Sequence, residues 1–329
     1  MPDTEAPLTW ADAVTAVIPF YGDPVEAQAL ATGLREHPAP RLKEIVISDD
    51  CSPSPFPGNA FPADSSGARD AGAEAGAPAV RVIRRERNGG FGAAVNTGLE
   101  QVRTPLALVL NSDLRIDGEQ ITALLDQAAA WQPAVIGAQV VGPGGAVQWS
   151  GRHFPTIAHQ VTEWLTPLAR WRHHRLLHEM VGHDMRAVEA DAPIAVDWVM
   201  GALMLLPVAQ VRAIGGFDES FHMNSEEVDL QLRLRHAGVP SVVIPSVRVE
   251  HAGGGSSDPG RRRQWLVDSR FRYAGKWGRP RALAAALGAA SVVNFAANCL
   301  RRGLGSPVRP AATLRTELQL IRRGIRCAL

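Results

Sequence analysis

Carboxylates follow two strand-like apolar segments in the first half of the chain. Asp49 and Asp50 follow KEIVIS, and Asp113 ends the tripeptide that follows LALVL. Such carboxylates can hydrogen-bond a nucleoside or coordinate Mg²⁺ or Mn²⁺, because these hard cations prefer oxygen ligands. The same residue types also form turns and cap helices. For Asp113 the alternative is a helix cap, with Asp117 as a competing candidate.

A glycine-rich segment, NGGFGAAVNTG, covers residues 88–98 and follows a third strand-like segment. Glycines let the backbone approach a ligand, and a helix that begins there would offer free N–H groups to an anion. The segment differs from the dinucleotide-binding fingerprint, because Val95 occupies the third glycine position and the first strand is far away. By itself the pattern is also consistent with a tight turn between a strand and a helix.

Three acidic residues, Glu226, Glu227 and Asp229, crowd the beginning of a predicted helix in the second half of the chain. One of them could act as a general base, which requires a carboxylate within reach of the reacting hydroxyl. The alternative is structural, since acidic residues stabilise a helix N-terminus. Asp229 could also pair with Arg233 one turn later.

Histidines supply further candidate ligands. His251, in VEHAGGGSS, is a candidate metal ligand or a core or surface histidine, and residues 253–256 form a candidate loop beside a phosphate. His174 and His178 have the spacing of one helical face, which would suit zinc. No third ligand stands out, so a zinc site is not expected.

The order of the segments predicts an α/β fold. Strand-like and helix-like segments alternate, which indicates a mostly parallel sheet with helices on both faces. In such sheets ligands bind beyond the carboxyl ends of the strands, so the polar residues there should converge on one edge. Residues 51–78 are predicted to form an irregular loop. The predicted strands are Ala13–Phe20, Lys43–Ser48, Val80–Arg85, Leu106–Leu110 and Pro133–Val141, and the helices are Pro24–Arg35, Gly90–Val102, Gln120–Ala130 and Glu226–Ala237.

The composition is that of an ordinary globular protein. The 329 residues have a formal net charge of +1, so no overall field favours nucleic acid as a partner. The three cysteines include no C-x-x-C pair, which argues against a disulfide framework. The N-terminus lacks the pattern of a secretory signal, so we expect a cytoplasmic protein.

An uncharged segment of nineteen residues, 282–300, lies between Arg279 and Arg281 on one side and Arg301 and Arg302 on the other. Its length suits a membrane span. Because alanine, serine and asparagine dilute its hydrophobicity, we expect a packed or interfacial helix instead. The flanking arginines would suit peripheral contact of residues 280–302 with an anionic membrane, such as the cytoplasmic face of the plasma membrane.

Eight motifs in order resemble those of the family-2 glycosyltransferases, and especially of the rhamnosyltransferase-like branch. They are VIPFYGD, VISDDCS, NGGFGAAVNTG, LVLNSD, WVMGALMLLP, GGFDESF, SEEVDLQLRLRHAG and VEHAGGGSS, and the resemblance spans about residues 14–275. It implies the GT-A nucleotide-diphosphosugar transferase fold with a C-terminal helical extension. The implied domains are a catalytic domain, 1–255, and the extension, 256–329. The catalytic domain would divide into a nucleotide-binding half of about 12–141 and an acceptor half of about 142–255.

The resemblance also implies roles for individual residues. Glu227 would be the catalytic base, with Glu226 as the alternative, and Asp113 and His251 would bind the metal. The donor-sugar segment would include Trp198, Gly201 and Ala202. The nucleotide-binding residues would be Pro19, Tyr21, Asp49, Asn88, Gly90, Asn96, Asn111 and Ser112.

The implied reaction is inverting, metal-dependent transfer of a sugar in cell-surface polysaccharide synthesis. The donor would be dTDP-rhamnose or a UDP-sugar, the acceptor a hydroxyl of a glycan or polyprenyl-linked lipid, and the cofactor Mg²⁺ or Mn²⁺. Two positions depart from the family pattern, since Asn111 replaces the first Asp of D-x-D and Glu227 replaces an Asp. A relative of the same fold that binds nucleotide or glycan with little or no catalysis is therefore the alternative.

Overall fold

Buried apolar runs form the strands of a central sheet in the computed structural model, which describes residues 13–57, 60–61, 77–171, 173–253 and 259–328. β1, β4 and β10 are buried along their whole length. The strands are β1 (Val14–Phe20), β2 (Leu42–Asp49), β3 (Ala79–Arg84), β4 (Leu106–Leu110), β5 (Leu114–Arg115), β6 (Val135–Val141), β7 (Gly151–Arg152), β8 (Ile194–Val196), β9 (Trp198–Val199), β10 (Leu203–Pro207) and β11 (Ser241–His251).

Eleven α-helices accompany these strands in the described residues. They are α1 (Val25–Glu36), α2 (Phe91–Gln101), α3 (Gly118–Ala128), α4 (Ile157–Trp164), α5 (Arg175–Met180), α6 (Met185–Glu189), α7 (Val208–Ala213), α8 (Glu226–His236), α9 (Pro259–Trp277), α10 (Pro280–Gly303) and α11 (Pro310–Ala328). Most predicted elements of the first half lie within two residues of these bounds. Of the predicted loop 51–78, residues 58–59 and 62–76 lie outside the described part of the chain.

The central sheet runs in the order β3-β2-β1-β4-β10-β6-β11-β5, with β8 paired to β11. Strands β1, β2, β3 and β4 are mutually parallel, as the sequence predicts. β10 enters antiparallel between β4 and β6, so the complete sheet is mixed. β7 and β9 form a separate two-stranded sheet.

Alternate residues of each central strand pack on opposite faces, because side chains in a strand alternate in direction. Ala16 and Ile18 of β1 belong to a core that contains residues of α1 and α3. Val17 belongs to a second core, with residues of α2, α7 and α8. Helices therefore cover both faces, and the predicted α/β architecture is confirmed.

The strand register aligns the carboxyl ends of β1, β2, β3 and β4. Phe20 pairs with Asp49, Asp49 pairs with Arg84, and Val17 pairs with Val109 one residue before the end of β4. The residues that follow these strands therefore begin at the same edge of the sheet.

The chain divides into two compact units, which we call the sheet unit and the helical unit. The sheet unit comprises Met1–Gly151, Arg186–Ser220 and Glu226–Ser256, and the helical unit comprises Arg152–Met185, Phe221–Ser225 and Ser257–Leu329. The helical unit has its own core, formed by Trp164, Val267, Phe271, Ala274, Leu283, Leu287, Ala290 and Ile321. It thus combines the predicted C-terminal extension with two segments that the sequence assigns to the acceptor half.

Candidate functional site

Asp113, which lies between β4 and β5, and His251, the last residue of β11, are side by side in the sheet unit. Asp113 Oδ1 is 3.1 Å from His251 Nε2, and both side chains are largely buried. The other carboxylate oxygen accepts the backbone N–H of Gly253 at 3.1 Å. The structure therefore brings together the two predicted metal ligands, which are 138 residues apart in the chain. Of the predicted phosphate loop, residues 254–256 lie outside the described residues.

Gln148 determines which nitrogen of His251 faces Asp113. The Gln148 amide donates from Nε2 to the backbone oxygen of His251 at 2.9 Å, so its oxygen Oε1 faces His251 Nδ1 at 2.8 Å. Nδ1 must then carry the proton, and in the neutral ring Nε2 carries the lone pair. A lone pair and a carboxylate oxygen at 3.1 Å repel each other unless a proton or a metal cation lies between them. The geometry is therefore compatible with the predicted metal site and equally with an ordinary ion pair of a protonated His251.

The pKa of Asp113 reflects this arrangement. Burial raises the pKa of the carboxyl. The hydrogen bond and charge that His251 supplies when its ring is protonated on both nitrogens, together with the backbone N–H groups of Asp113 and Gly253, outweigh burial, so the pKa lies below its ordinary value. Asp113 is therefore ionised under neutral conditions, as a ligand for a hard cation must be.

The alternative role of Asp113 as a helix cap is filled by Asp117. The Asp117 carboxylate accepts the backbone N–H of Gln120 at 2.8 Å, and the Gln120 side chain accepts the Asp117 N–H at 2.9 Å. This reciprocal pair is the capping box of α3. Asp113 lies four residues earlier and takes no part in it.

Asp50 fixes the glycine-rich turn that precedes α2. Its buried carboxylate accepts the backbone N–H of Gly90 at 2.7 Å and that of Gly89 at 2.9 Å, and Arg85 pairs with it at 2.9 Å. Gly90 has φ +88°, which favours glycine, and it immediately precedes the first residue of α2. The sequence did not single out Asp50 over Asp49 for this contact, because the two carboxylates are adjacent.

Asp49 has a local turn contact as well as its predicted nucleotide-binding role. Its carboxylate accepts the backbone N–H of Ser52 at 2.7 Å and pairs with Arg84. The turn interpretation is therefore realised, and Arg84, whose side chain is 42% exposed, is a further cationic group at this edge.

The other predicted nucleotide-binding residues occupy different environments. Pro19 is buried in β1, while Tyr21 is 51% exposed and Asn88 is exposed. The Asn96 amide donates to the Phe217 carbonyl at 2.9 Å and accepts the Phe217 N–H at 2.8 Å. Asn96 thus anchors the GGFDESF segment to α2, and its role toward a nucleotide stays a prediction.

The donor-sugar segment adjoins both the D-x-D-like motif and the acidic pair. The backbone N–H of Asn111 donates to the Ala202 carbonyl at 2.9 Å. A Cβ placed on Gly201 would lie 3.6 Å from Cγ of Glu227, an ordinary van der Waals contact, so the two residues are direct neighbours. Glu227 is half-buried, whereas Glu226 is 2% exposed. Glu227 is therefore the more accessible of the two candidate bases.

Gln231 attaches α8 to the donor-sugar segment. This fully buried amide accepts the Val199 N–H at 2.7 Å, donates to the Val199 carbonyl at 2.8 Å and donates to the Glu227 carbonyl at 3.1 Å. It fixes Glu227 relative to the strand that contains Trp198. The predicted pairing of Asp229 with Arg233 is also present, at 2.8 Å.

A cavity of about 770 Å³ borders Asp113 on the side of α1. Its lining includes Ser112 and Asp113, but neither Glu227 nor Trp198. We therefore regard it as a groove beside the predicted metal ligands, separate from the predicted donor-sugar segment.

A second group of possible metal ligands lies in the helical unit. His153, Glu179 and Asp184 place their ligand atoms within 4.8 Å of one another. His153 Nε2 is 3.2 Å from Glu179 Oε2, so this contact is also an ordinary ion pair when the ring is protonated. Of the histidines considered for zinc, His174 precedes α5 and His178 contacts His183.

The sequence matches known glycosyltransferases over the residues of the sheet edge. The profile described as Glycosyl transferase family 2 matches residues 15–184, just over half of the chain. This range contains Asp49, Asp50, the glycine-rich turn and Asp113.

Two curated relatives come from Mycobacterium tuberculosis. N-acetylglucosaminyl-diphospho-decaprenol L-rhamnosyltransferase is 30% identical over 190 residues, which are 53% of this chain and 59% of the relative. Pre-mycofactocin glycosyltransferase is 26% identical over 238 residues, 72% of this chain and 42% of the relative. The chain thus spans less than two thirds of the length of either relative.

Among solved structures, the mannosyltransferase PcManGT from Pyrobaculum calidifontis, in complex with GDP-Man and Mn²⁺, has a similar fold. The TM-score is 0.54 at 14% identity, over 100% of this chain and 89% of that chain. At this identity the similarity concerns the fold alone, and the GT-A-like fold is confirmed. Since the family profile covers more than half of the chain, the protein belongs to glycosyl transferase family 2.

Proposed function

We propose that this glycosyltransferase moves a sugar from a nucleotide diphosphate to an acceptor hydroxyl with inversion of the anomeric configuration. The observation that carries the proposal is the Asp113–His251 pair, in which Gln148 turns Nε2 toward the carboxylate. This arrangement lies at the sheet edge where nucleotide ligands bind in α/β proteins.

Glu227 is the proposed base. Its carboxylate takes the proton of the acceptor hydroxyl while that oxygen forms a bond to the anomeric carbon, and the bond from this carbon to the diphosphate breaks. The closeness of the Glu227 side chain to Gly201, a residue of the predicted donor-sugar segment, supports this role. Glu226 is the weaker candidate, since it is almost completely buried.

Asp113 and His251 fit a divalent cation, because one offers an ionised carboxylate and the other an imidazole nitrogen of fixed orientation. When bound, Mg²⁺ or Mn²⁺ would supply positive charge that stabilises the diphosphate leaving group. The Asn111 amide nitrogen is 3.4 Å from His251 Nε2, so this residue of the D-x-D-like motif faces the same ligand.

For the donor we propose dTDP-rhamnose first and a UDP-sugar second, and for the acceptor a polyprenyl-linked glycan. The support comes from the relative named as a rhamnosyltransferase that acts on a diphospho-decaprenol lipid. Thermal-shift screening of dTDP-, UDP- and GDP-sugars with Mn²⁺ tests the donor, and stabilisation by dTDP-rhamnose is the expected result.

Single-turnover assays of Glu227→Gln and Glu226→Gln test the base. We expect Glu227→Gln to lower the transfer rate by about 10² to 10⁴-fold, the usual contribution of a positioned base. Donor affinity, measured by titration calorimetry, should stay unchanged. A fully active Glu227→Gln variant would show that the base is assigned incorrectly. If the wild type binds the donor but neither transfers nor hydrolyses it, the non-catalytic alternative replaces the proposal.

A further inference from the structure

The inward face of α10, the long helix of the helical unit, combines apolar residues of the core, Leu283, Leu287 and Ala290, with polar ones. Ser291, Asn294 and Asn298 are all at most 3% exposed. Ser291 accepts a hydrogen bond from the Trp164 indole N–H at 2.9 Å. Asn294 accepts the Thr166 N–H at 2.9 Å and donates to the Trp164 carbonyl at 3.0 Å. These bonds fix which face of α10 is directed toward the rest of the unit.

The opposite face of α10 is apolar and exposed. Val292, Val293 and Leu300 are 60%, 52% and 68% exposed, and Leu304, the residue that follows the helix, is 79% exposed. The other exposed residues between positions 282 and 300 are small or weakly polar, namely Ala282, Ala285, Ala289, Ala296 and Cys299. They recur every three or four residues, so they form one continuous stripe along the helix. We call these nine residues the outer stripe.

This arrangement departs from that expected for a helix on the surface of a soluble protein, because polar residues share the buried face with apolar ones while the exposed face is also apolar. Such a helix buries its apolar stripe and exposes its polar face. A long exposed apolar stripe marks a surface that another apolar phase covers. The helix is long and apolar enough to cross a membrane by length and composition, yet only 33% of that window is buried within the protein.

The charges around the outer stripe identify the covering phase. Arg279 and Arg281 are exposed at one end of the helix, and Arg301 and Arg302 at the other. Residues 257–329 contain 15 Lys and Arg against 3 Asp and Glu. A second copy of this chain would bring like charges together, whereas an anionic phospholipid surface would neutralise them.

The inward hydrogen bonds distinguish an interfacial helix from a membrane span. Crossing the bilayer would surround α10 with lipid and separate Asn294 from Trp164, Thr166 and Glu317, all of which it contacts. Polar groups without partners in hydrocarbon are costly. A helix that lies in the interface keeps these contacts and still covers its apolar side.

We propose that α10 lies in the surface of an anionic phospholipid bilayer, with the outer stripe in the acyl region and the four arginines at the lipid phosphates. This inference does not depend on the proposed sugar transfer. The sequence alone predicts peripheral membrane contact. The proposal specifies which face of α10 enters the membrane and that the helix lies in the plane of the interface.

Flotation of the full chain with vesicles tests the proposal, using pure phosphatidylcholine and an equal mixture of phosphatidylcholine and phosphatidylglycerol. We expect binding mainly to the mixed vesicles. Val292→Glu combined with Leu300→Glu should lower the partition coefficient by at least about tenfold, because two charges replace inserted apolar groups. The control is Leu176→Glu in α5, a leucine 70% exposed outside the stripe, which should bind as the wild type does.

Three results would overturn the proposal. One is equal binding of the stripe variant and the wild type to mixed vesicles. Another is a wild-type dimer in light scattering that the stripe variant converts to monomer, which would make the stripe a contact between copies. The third is resistance to alkaline carbonate extraction, which would indicate a span. Mn²⁺-dependent donor hydrolysis, measured without vesicles on the same variants, reports separately on the proposed function.

Discussion

At the scale of single residues, the order of the motifs points to the proposed metal ligands but not to the residue that orients one of them. Asp113 and His251 stand in recognisable motifs, and they meet at 3.1 Å. Gln148 belongs to none of these motifs. Its partner His251 is 103 residues away in the chain, so the contact becomes visible only in the folded structure. The choice between Asp49 and Asp50 for the glycine-rich turn could not be predicted either, because adjacent carboxylates differ only in direction.

Gln148→Leu should weaken Mn²⁺ binding. The substitution keeps the approximate volume but removes the acceptor that holds the proton on His251 Nδ1. Partners that orient a metal ligand usually contribute about 10 to 100-fold in metal affinity, and we expect a loss in that range. Free Mn²⁺ measured by electron paramagnetic resonance gives the affinity without any assay of transfer.

The matched control for this substitution is Gln127→Leu. Gln127 lies on α3 and accepts a hydrogen bond from Ser246 at an exposed position. The Gln127→Leu variant should bind Mn²⁺ as the wild type does. If the Gln148→Leu variant and the wild type bind Mn²⁺ with equal affinity, the proton that Gln148 holds on His251 Nδ1 does not contribute to metal binding.

Substitutions of Asp113 and of Asp117 should have separate effects, the first on metal binding and the second on the free energy of unfolding. Asp113→Asn removes an ionised ligand and should abolish measurable Mn²⁺ binding with little change in the free energy of unfolding. Asp117→Ala removes the cap of α3 and should lower the free energy of unfolding by about 1 kcal/mol while Mn²⁺ binding is retained. Urea titrations of both variants measure the free energy of unfolding, and Mn²⁺ titrations measure the metal affinity. Loss of Mn²⁺ binding in Asp117→Ala would mean that the capping turn also shapes the metal site.

At the scale of elements, periodicity predicts the strands and helices but not their directions. The runs that form β1, β2 and β4 are recognisable because they are continuous and apolar, and their polar ends mark the binding edge. The antiparallel entry of β10 between β4 and β6 could not be predicted, because a run of leucines carries no information about direction. The alanine-rich sequence of α10 likewise predicts a helix without showing which face is buried.

Gln231 of α8 holds this helix against Val199 of β9, so Gln231→Leu tests how one element positions another. The change leaves the Val199 N–H and carbonyl without these partners inside the protein. We expect the free energy of unfolding to fall by about 1–3 kcal/mol, the usual cost of buried polar groups left unpaired. The turnover number should fall more than the affinity for the donor, because Glu227 loses its fixed position.

Gln210→Leu on α7 is the control for Gln231→Leu, since it makes the same chemical change on a neighbouring helix. Urea titration and steady-state kinetics of the two variants give the comparison. If both variants lose stability equally and the Gln231→Leu variant keeps its turnover number, Gln231 contributes packing alone.

At the scale of the whole molecule, the net charge is near neutral, but basic and acidic residues are unevenly distributed along the chain. Residues 257–329 carry 15 basic and 3 acidic residues, whereas residues 1–256 carry 19 basic and 30 acidic ones. The formal net charge of +1 provides no global field that would favour nucleic acid. It does not exclude a strong local field, and the basic residues are concentrated in the segment that contains α10.

This division predicts that membrane binding depends steeply on salt. Each arginine close to an anionic bilayer contributes about 1 kcal/mol, and the contribution decays within a Debye length, which shortens as salt rises. Binding of the wild type to mixed vesicles should therefore fall progressively from low to high salt, toward the residual affinity of the outer stripe for neutral vesicles. Combining Arg301→Gln with Arg302→Gln should lower binding at low salt by roughly 25-fold and make the salt dependence shallower. Changing Arg315→Gln and Arg322→Gln together, two exposed arginines of α11, removes the same charge from another helix, so an equal effect would attribute binding to net charge instead of to the arginines of α10.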